Sequence, residues 1–187
     1  MADSFCVLPW MHLATHPHGG VSLCCVTDFK DGNGMSRDGD QYYNLNRDTI
    51  TDTMNSDNFR QTRLEMLDGK MPNPCMRCYK EERRGIKSKR LTENENYDNF
   101  TIDTAKQQTQ VDGTIDPQLE FVELRLGNIC NAKCATCNPA SSSKWVVDYN
   151  KLLKELDFVT NYNDLDDFAW PEKEKFWDDL YTHTKNV

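Results

Sequence analysis

Hydrophobic and polar positions change period along the chain. In "DPQLEFVELRLGNIC", Val122, Leu124 and Leu126 alternate with Glu123 and Arg125, the period of two that turns successive side chains to opposite faces of a strand. In "SSSKWVVDYNKLLKEL", Trp145, Tyr149, Leu152, Leu153 and Leu156 recur at helical spacing behind serine N-caps, which predicts a helix with one stripe facing a core. "WPEKEKFWDDLY" predicts another helix, with Pro171 in its first turn and Phe176, Trp177 and Leu180 as its packing face. Upstream, "SDNFRQTRLEMLDG" reads as a short helix capped by Ser56 or Asp57, with Phe59, Leu64 and Leu67 inward and Gly69 as its stop. The segment "CVLPWMHLATHPHGGVSLCC" reads as an extended stretch, a turn and a second strand ending at Cys24. Pro17 fixes one turn dihedral and Gly19 and Gly20 permit positive φ, so a hairpin is expected, with His12, His16 and His18 in turn or core roles. Residues 80–117 are polar, and the basic run "KEERRGIKSKR" reads as a solvated helix face without chemistry.

Composition narrows the setting. A chain of 187 residues with 37% hydrophobic content and four Trp can bury one or two small cores. The net charge of −8 argues against nucleic acid or an anionic membrane as partner. No apolar run reaches the roughly 18 residues of a membrane span, and "MADSFCVLPWMHL" lacks the basic region and cleavage site of a signal peptide. A cytoplasmic location is therefore expected. In that reducing compartment the eight cysteines are expected as metal ligands or reactive thiols, not disulfides.

They fall into five plus three: Cys6, Cys24, Cys25, Cys75 and Cys78, then Cys130, Cys134 and Cys137. Pro72 and Pro74 stop the preceding helix and present Cys75 and Cys78 on a CxxC turn, so that four thiolates of the first group can converge. The trio, in "GNICNAKCATCNP", is spaced CxxxCxxC between the predicted strand and helix. Zinc there needs a fourth ligand, from His183 or a distant thiol. A [4Fe-4S] cluster on three thiolates instead leaves one iron open to a substrate or cofactor.

"CNAKCATC" at the end of a strand resembles the signature of radical S-adenosylmethionine (radical SAM) enzymes. The resemblance implies that S-adenosylmethionine occupies the open iron of a cluster on Cys130, Cys134 and Cys137. It also implies reductive cleavage to a 5′-deoxyadenosyl radical, which modifies a peptide or small-molecule substrate with electrons from a donor such as flavodoxin or ferredoxin. Thr136 stands where an aromatic residue is common, so the adenine contact expected there is through the backbone. No side chain is assigned as catalytic. The N-terminal cysteines resemble a twitch or SPASM-type module, with Gly19 and Cys24 fitting its Gly-x4-Cys element. That implies an auxiliary [4Fe-4S] cluster on Cys6, Cys24, Cys75 and Cys78, with Cys25 as the alternative to Cys24. The implied architecture is mixed α+β and α/β: a hairpin-plus-helices iron–sulfur module over 1–97, a linker over 98–117, and over 118–187 the first βα unit of a partial (β/α)6 barrel. No GGEP-like element follows, so a truncated enzyme is expected. The alternative is a catalytically incomplete iron–sulfur or zinc remnant acting in electron transfer or as a scaffold.

Overall fold

A computed structural model describes residues 4–30, 33–156 and 166–184. Where an extended segment is expected before the hairpin, the chain makes one helical turn, α1 (Leu8–Met11), with all four residues buried. Pro9 explains it, because its fixed φ suits a helix start and its missing N–H costs nothing there. Strand β1 (His12–Thr15) follows, and every one of its residues is buried. The turn closes with Gly19 at φ 88, and β2 (Val21–Ser22) returns antiparallel, pairing Ala14 with Ser22 and Thr15 with Val21.

Next come a two-stranded ribbon, β3 (Arg37–Asp38) and β4 (Gln41–Tyr42), and a run of short helices. Helix α2 (Ile50–Met54) starts with a reciprocal capping box between Thr49 and Asp52. Helix α3 (Asp57–Leu67) ends before Gly69 at φ 73, as its sequence predicts. Its fully buried face, however, is Phe59, Thr62, Arg63 and Met66, with Leu64 and Leu67 only partly covered. Helices α4 (Met76–Arg83), α5 (Lys89–Asn96) and α6 (Ile102–Gln108) complete the series.

Strand β5 (Phe121–Glu123) forms within the predicted segment, but it ends before Leu124 and Leu126, and Leu126 is exposed. The strand pairs in parallel with β1, His12 opposite Phe121 and Ala14 opposite Glu123, giving the order β2-β1-β5. The fold is thus mixed α+β, with small sheets and several helices. Instead of opening a barrel sheet of its own, β5 edges the sheet of the N-terminal segment, and no further barrel strand lies among the described residues. One hydrophobic cluster accordingly joins Trp10, Leu13, Met54 and Phe59 to Leu119, Trp170 and Phe176. Trp170 stacks edge-on with Phe176 at 4.7 Å and donates Nε1–H to the Pro17 carbonyl at 2.9 Å.

Helix α7 (Val146–Glu155) forms after the cysteine loop, but only Val146 is buried. Leu152 and Leu156, expected to face a core, are exposed. Helix α8 (Glu174–His183) buries Phe176 as expected, whereas Pro171 lies in a preceding 3-10 segment and Trp177 is 40% exposed. Among the described residues no helix is long and apolar enough to cross a membrane.

Candidate metal centre

Three separate stretches of chain bring four thiols to one place. Cys6 sits in a segment strapped down by α5: Asn94 accepts the Val7 N–H at 3.0 Å and donates to the Phe5 carbonyl at 2.9 Å. Arg90 donates to that same carbonyl at 2.7 Å. Cys24 follows β2, where the Leu23 N–H is held by the Gly34 carbonyl at 3.0 Å. Pro72 and Pro74 lead into a 3-10 turn, Asn73–Cys75, so that Cys75 caps α4 and Cys78 lies buried in its first turns. Thr27 Oγ1 and the Asp28 N–H both donate to the Pro74 carbonyl, at 3.0 and 2.9 Å, and so dock the Cys24 loop on the Cys75 turn.

Cys6, Cys24, Cys75 and Cys78 line a single small cavity of about 20 Å³. Leu8, Val26 and Thr27 complete its uncharged wall, and Lys89 and Arg90 supply its charges. Burial, followed by repulsion among the neighbouring thiols, pushes Cys6 and Cys75 far above the ordinary thiol value and Cys24 up to about 12. Without a metal these thiols stay protonated. A bound metal would displace the protons, since its own charge dominates the local electrostatics. Cys25 is absent from that lining, and burial, followed by the neighbouring Glu123 carboxylate on β5, raises its pKa.

The basic run read as a solvated face divides. Arg83, Arg84 and Lys87 are exposed, while Lys89 and Arg90 reach the cavity. Arg90 is 5% exposed and grips Glu82 with Nε and one terminal nitrogen at 2.9 and 2.6 Å. Ser88, the N-cap of α5, donates to the same carboxylate at 2.5 Å. A Ser-Lys-Arg stretch opening a helix behind a glutamate was the available sequence signal, but its burial depended on partners far along the chain.

Among the described residues no three His, Cys, Asp or Glu side chains converge to hold a single metal ion. Tetrahedral zinc requires sulfurs about 2.3 Å from one point, whereas the four N-terminal thiols surround a cavity instead. This soft, all-thiol donor set suits an iron–sulfur group, which spreads its ligands over several irons. Wider clefts beside Arg60 and beside Tyr42 have no cysteine in their walls.

The trio lies on the loop between β5 and α7. Cys134 and Thr136 are exposed, Cys130 and Cys137 half-buried. The loop is latched at its base by buried Asn128, which donates to the Pro139 carbonyl at 2.8 Å and accepts the Ser143 N–H at 2.8 Å. Ser142 Oγ donates to the Ala132 carbonyl at 2.8 Å, and Trp145 Nε1 to the Cys134 carbonyl at 3.0 Å. The backbone is therefore organised, although the three thiols are not gathered on one point. His183, the alternative fourth ligand for zinc, is instead engaged with Thr51 and Asp179.

No curated protein and no solved structure matches the chain significantly. Residues 6–79, the stretch that carries the four cavity cysteines, match the family model of the SPASM iron–sulfur cluster-binding domain.

Proposed function

We propose that the chain is an iron–sulfur protein of the radical SAM kind, with an auxiliary [4Fe-4S] cluster on Cys6, Cys24, Cys75 and Cys78. A second cluster, on Cys130, Cys134 and Cys137, binds S-adenosylmethionine. The observation that carries the reading is the convergence of four thiols from three separated segments on one cavity inside the region that matches a cluster-binding domain. Cys24 is the ligand and Cys25 is not, because Cys24 lines that cavity whereas Cys25 lies outside it, near Glu123.

For the trio the support is its CxxxCxxC spacing and its position on a latched loop between a parallel strand and a helix. When bound there, the cluster and S-adenosylmethionine supply one-electron reductive cleavage, and the radical chemistry is the cofactor's own. The chain's part is to hold the loop: Asn128 and Ser142 fix its base, and Trp145 fixes the Cys134 carbonyl. With Thr136 at the position often aromatic, the adenine contact falls to the backbone.

The second reading, an electron-transfer or scaffold protein without cleavage activity, is favoured by one observation: the described residues put a single strand and an uncovered helix beside the trio. Productive cleavage needs walls that orient the sulfonium. One experiment separates the two. Anaerobically reconstituted chain is given dithionite and S-adenosylmethionine, and 5′-deoxyadenosine is followed by chromatography. Multiple turnovers support the enzyme; two clusters with no product support the scaffold. Stoichiometric zinc with no iron uptake refutes both cluster assignments.

A further inference from the structure

We propose that Lys89 raises the reduction potential of a cluster bound by Cys6, Cys24, Cys75 and Cys78, while its neighbour Arg90 holds Cys6 in place. The inference rests on reading those four thiols as cluster ligands. Four thiolates leave an iron–sulfur cluster with net negative charge, and one-electron reduction adds another unit. A cation in the wall therefore stabilises the reduced form more than the oxidised one, and a low-dielectric surrounding strengthens the effect. The cavity wall is mostly apolar, and among the described residues its charged members are Lys89 and Arg90, with no carboxylate in the lining.

The two cations are not equivalent. Arg90 is engaged on every side: Glu82 takes it in a two-point pair, the Phe5 carbonyl accepts from it at 2.7 Å, and the Tyr79 ring lies 5.4 Å away. Its charge is largely cancelled by Glu82, and its grip falls on the carbonyl immediately before Cys6. Lys89 has a looser setting. It meets Glu93 at 3.1 Å, lies 5.1 Å from the centre of the Phe121 ring, and is close enough to Cys24 and Cys25 to be coupled to them electrostatically. Its single-point contact with Glu93 cancels less of its charge than the two-point Glu82 pair cancels of Arg90's, and the remainder acts on the cavity. Arg90 is the positioning residue and Lys89 the tuning one.

The test uses the full chain with Cys130, Cys134 and Cys137 replaced by Ala, so that a single cluster gives the signal. After anaerobic reconstitution, iron is counted and the midpoint potential is read by electron paramagnetic resonance during titration with dithionite, which delivers one electron and no proton to the cluster. Lys89→Met should keep its iron but show a reduced-to-oxidised ratio about tenfold lower at a fixed potential, a downward shift of about 59 mV. Lys89→Arg should restore the parent value, and Glu93→Gln, which frees the lysine, should shift the potential upward. Arg90→Met should lose iron. An unchanged midpoint in Lys89→Met with full iron overturns the proposal, as does Lys89→Arg falling as far as Lys89→Met. If Lys89→Met fails to take up a cluster, Glu93→Gln decides, because it leaves the lysine in place: no upward shift overturns the tuning role. A parent chain that binds no iron overturns the four-thiol reading itself, a different failure from an iron-loaded chain whose potential ignores residue 89.

Discussion

Replacing Arg63 by Met should cost about 4 kcal/mol of folding stability, although the new side chain is apolar and similar in length. Arg63 lies in the middle of α3 with no exposed surface. It donates to the carbonyls of Gly113, Pro9 and Met54 at 2.8, 3.0 and 2.8 Å, and to Asn55 Oδ1 at 3.1 Å. Burial pulls its pKa down to about 9, so it remains a cation at neutral pH. Each bond from a charged donor contributes about 1.5–3 kcal/mol, but removing the guanidinium also returns a desolvation cost of several kcal/mol. What remains is the loss of partners for four acceptors, about 1 kcal/mol each after partial rehydration. Urea unfolding of the metal-free chain, followed by circular dichroism, measures the difference. Arg63→Lys should recover less than half, because three donors on one nitrogen cannot span carbonyls that come from α2, the α1 segment and the approach to β5. A loss below about 1 kcal/mol in Arg63→Met, or full stability in Arg63→Lys, would falsify the claim that this fan of bonds ties those segments together.

The fully loaded chain should contain about eight irons, and changing Cys130, Cys134 and Cys137 together to Ala should leave about four, since two independent four-iron clusters are expected; loss of all iron would show the sites to be coupled. Cys24→Ala should lose the N-terminal cluster while Cys25→Ala keeps it, as read by iron content, and the reverse result would move the ligand by one residue. His12 is buried with neither ring nitrogen hydrogen-bonded, and burial holds its pKa down at about 4, against the pull of Glu123 and Glu93 and with the help of Lys89. Its unfolded form binds a proton below about pH 6.5 while the folded form does not, so stability should fall as pH drops from about 6.5 towards 4, by roughly 3 kcal/mol at most. His12→Phe should flatten that limb in unfolding measurements at pH 7 and pH 4.5, although His16, with its pKa also lowered to about 4 by burial, leaves some slope.

The parts of this molecule legible in its sequence are those fixed by local chemistry. Pro72 and Pro74 before Cys75, Gly69 after α3, and the alternation around Val122 each act within a few residues, and each feature forms where expected, although β5 stops at Glu123. What could not be read is partnership at a distance. Strand β5 is visible in the sequence, but nothing in it names β1 as its neighbour. The stripe of α7 is visible too, yet period alone does not say what covers it, and Leu152 and Leu156 are left exposed. Arg63 and Arg90 are the sharpest cases, because a polar residue in a helix reads as solvated until buried carbonyls, or a carboxylate such as Glu82, are brought to meet it. The cysteines of the candidate site stand out by their spacing, while Lys89 lies in a run of like charges.

The shared sheet gives the two cysteine groups a physical connection that spacing alone would not suggest. Cys25 follows directly on Cys24 and lies near enough to Glu123, the last residue of β5, for that carboxylate to raise its pKa. Thr15 on β1 donates its hydroxyl to the Glu123 carbonyl at 3.4 Å and accepts the Arg125 N–H at 2.8 Å. The chain then needs only Leu126 to Ile129 to reach Cys130. Protein hydrogen bonds tie the cavity walls together: Thr27 to Pro74, Tyr79 to the Ser4 carbonyl at 2.7 Å, and Arg90 to the Phe5 carbonyl. Walls tied together in this way leave little of a cluster's binding free energy to be spent on ordering the chain, so that energy goes into affinity. The trio stands at the opposite extreme, with one exposed thiol and two half-buried ones on a loop whose backbone, not its thiols, is held by Asn128, Ser142 and Trp145. Binding there must also gather the thiols, and the cost of that ordering weakens the site. Iron should therefore leave Cys130, Cys134 and Cys137 first when a chelator is titrated in, and the cluster of the buried cavity should outlast it.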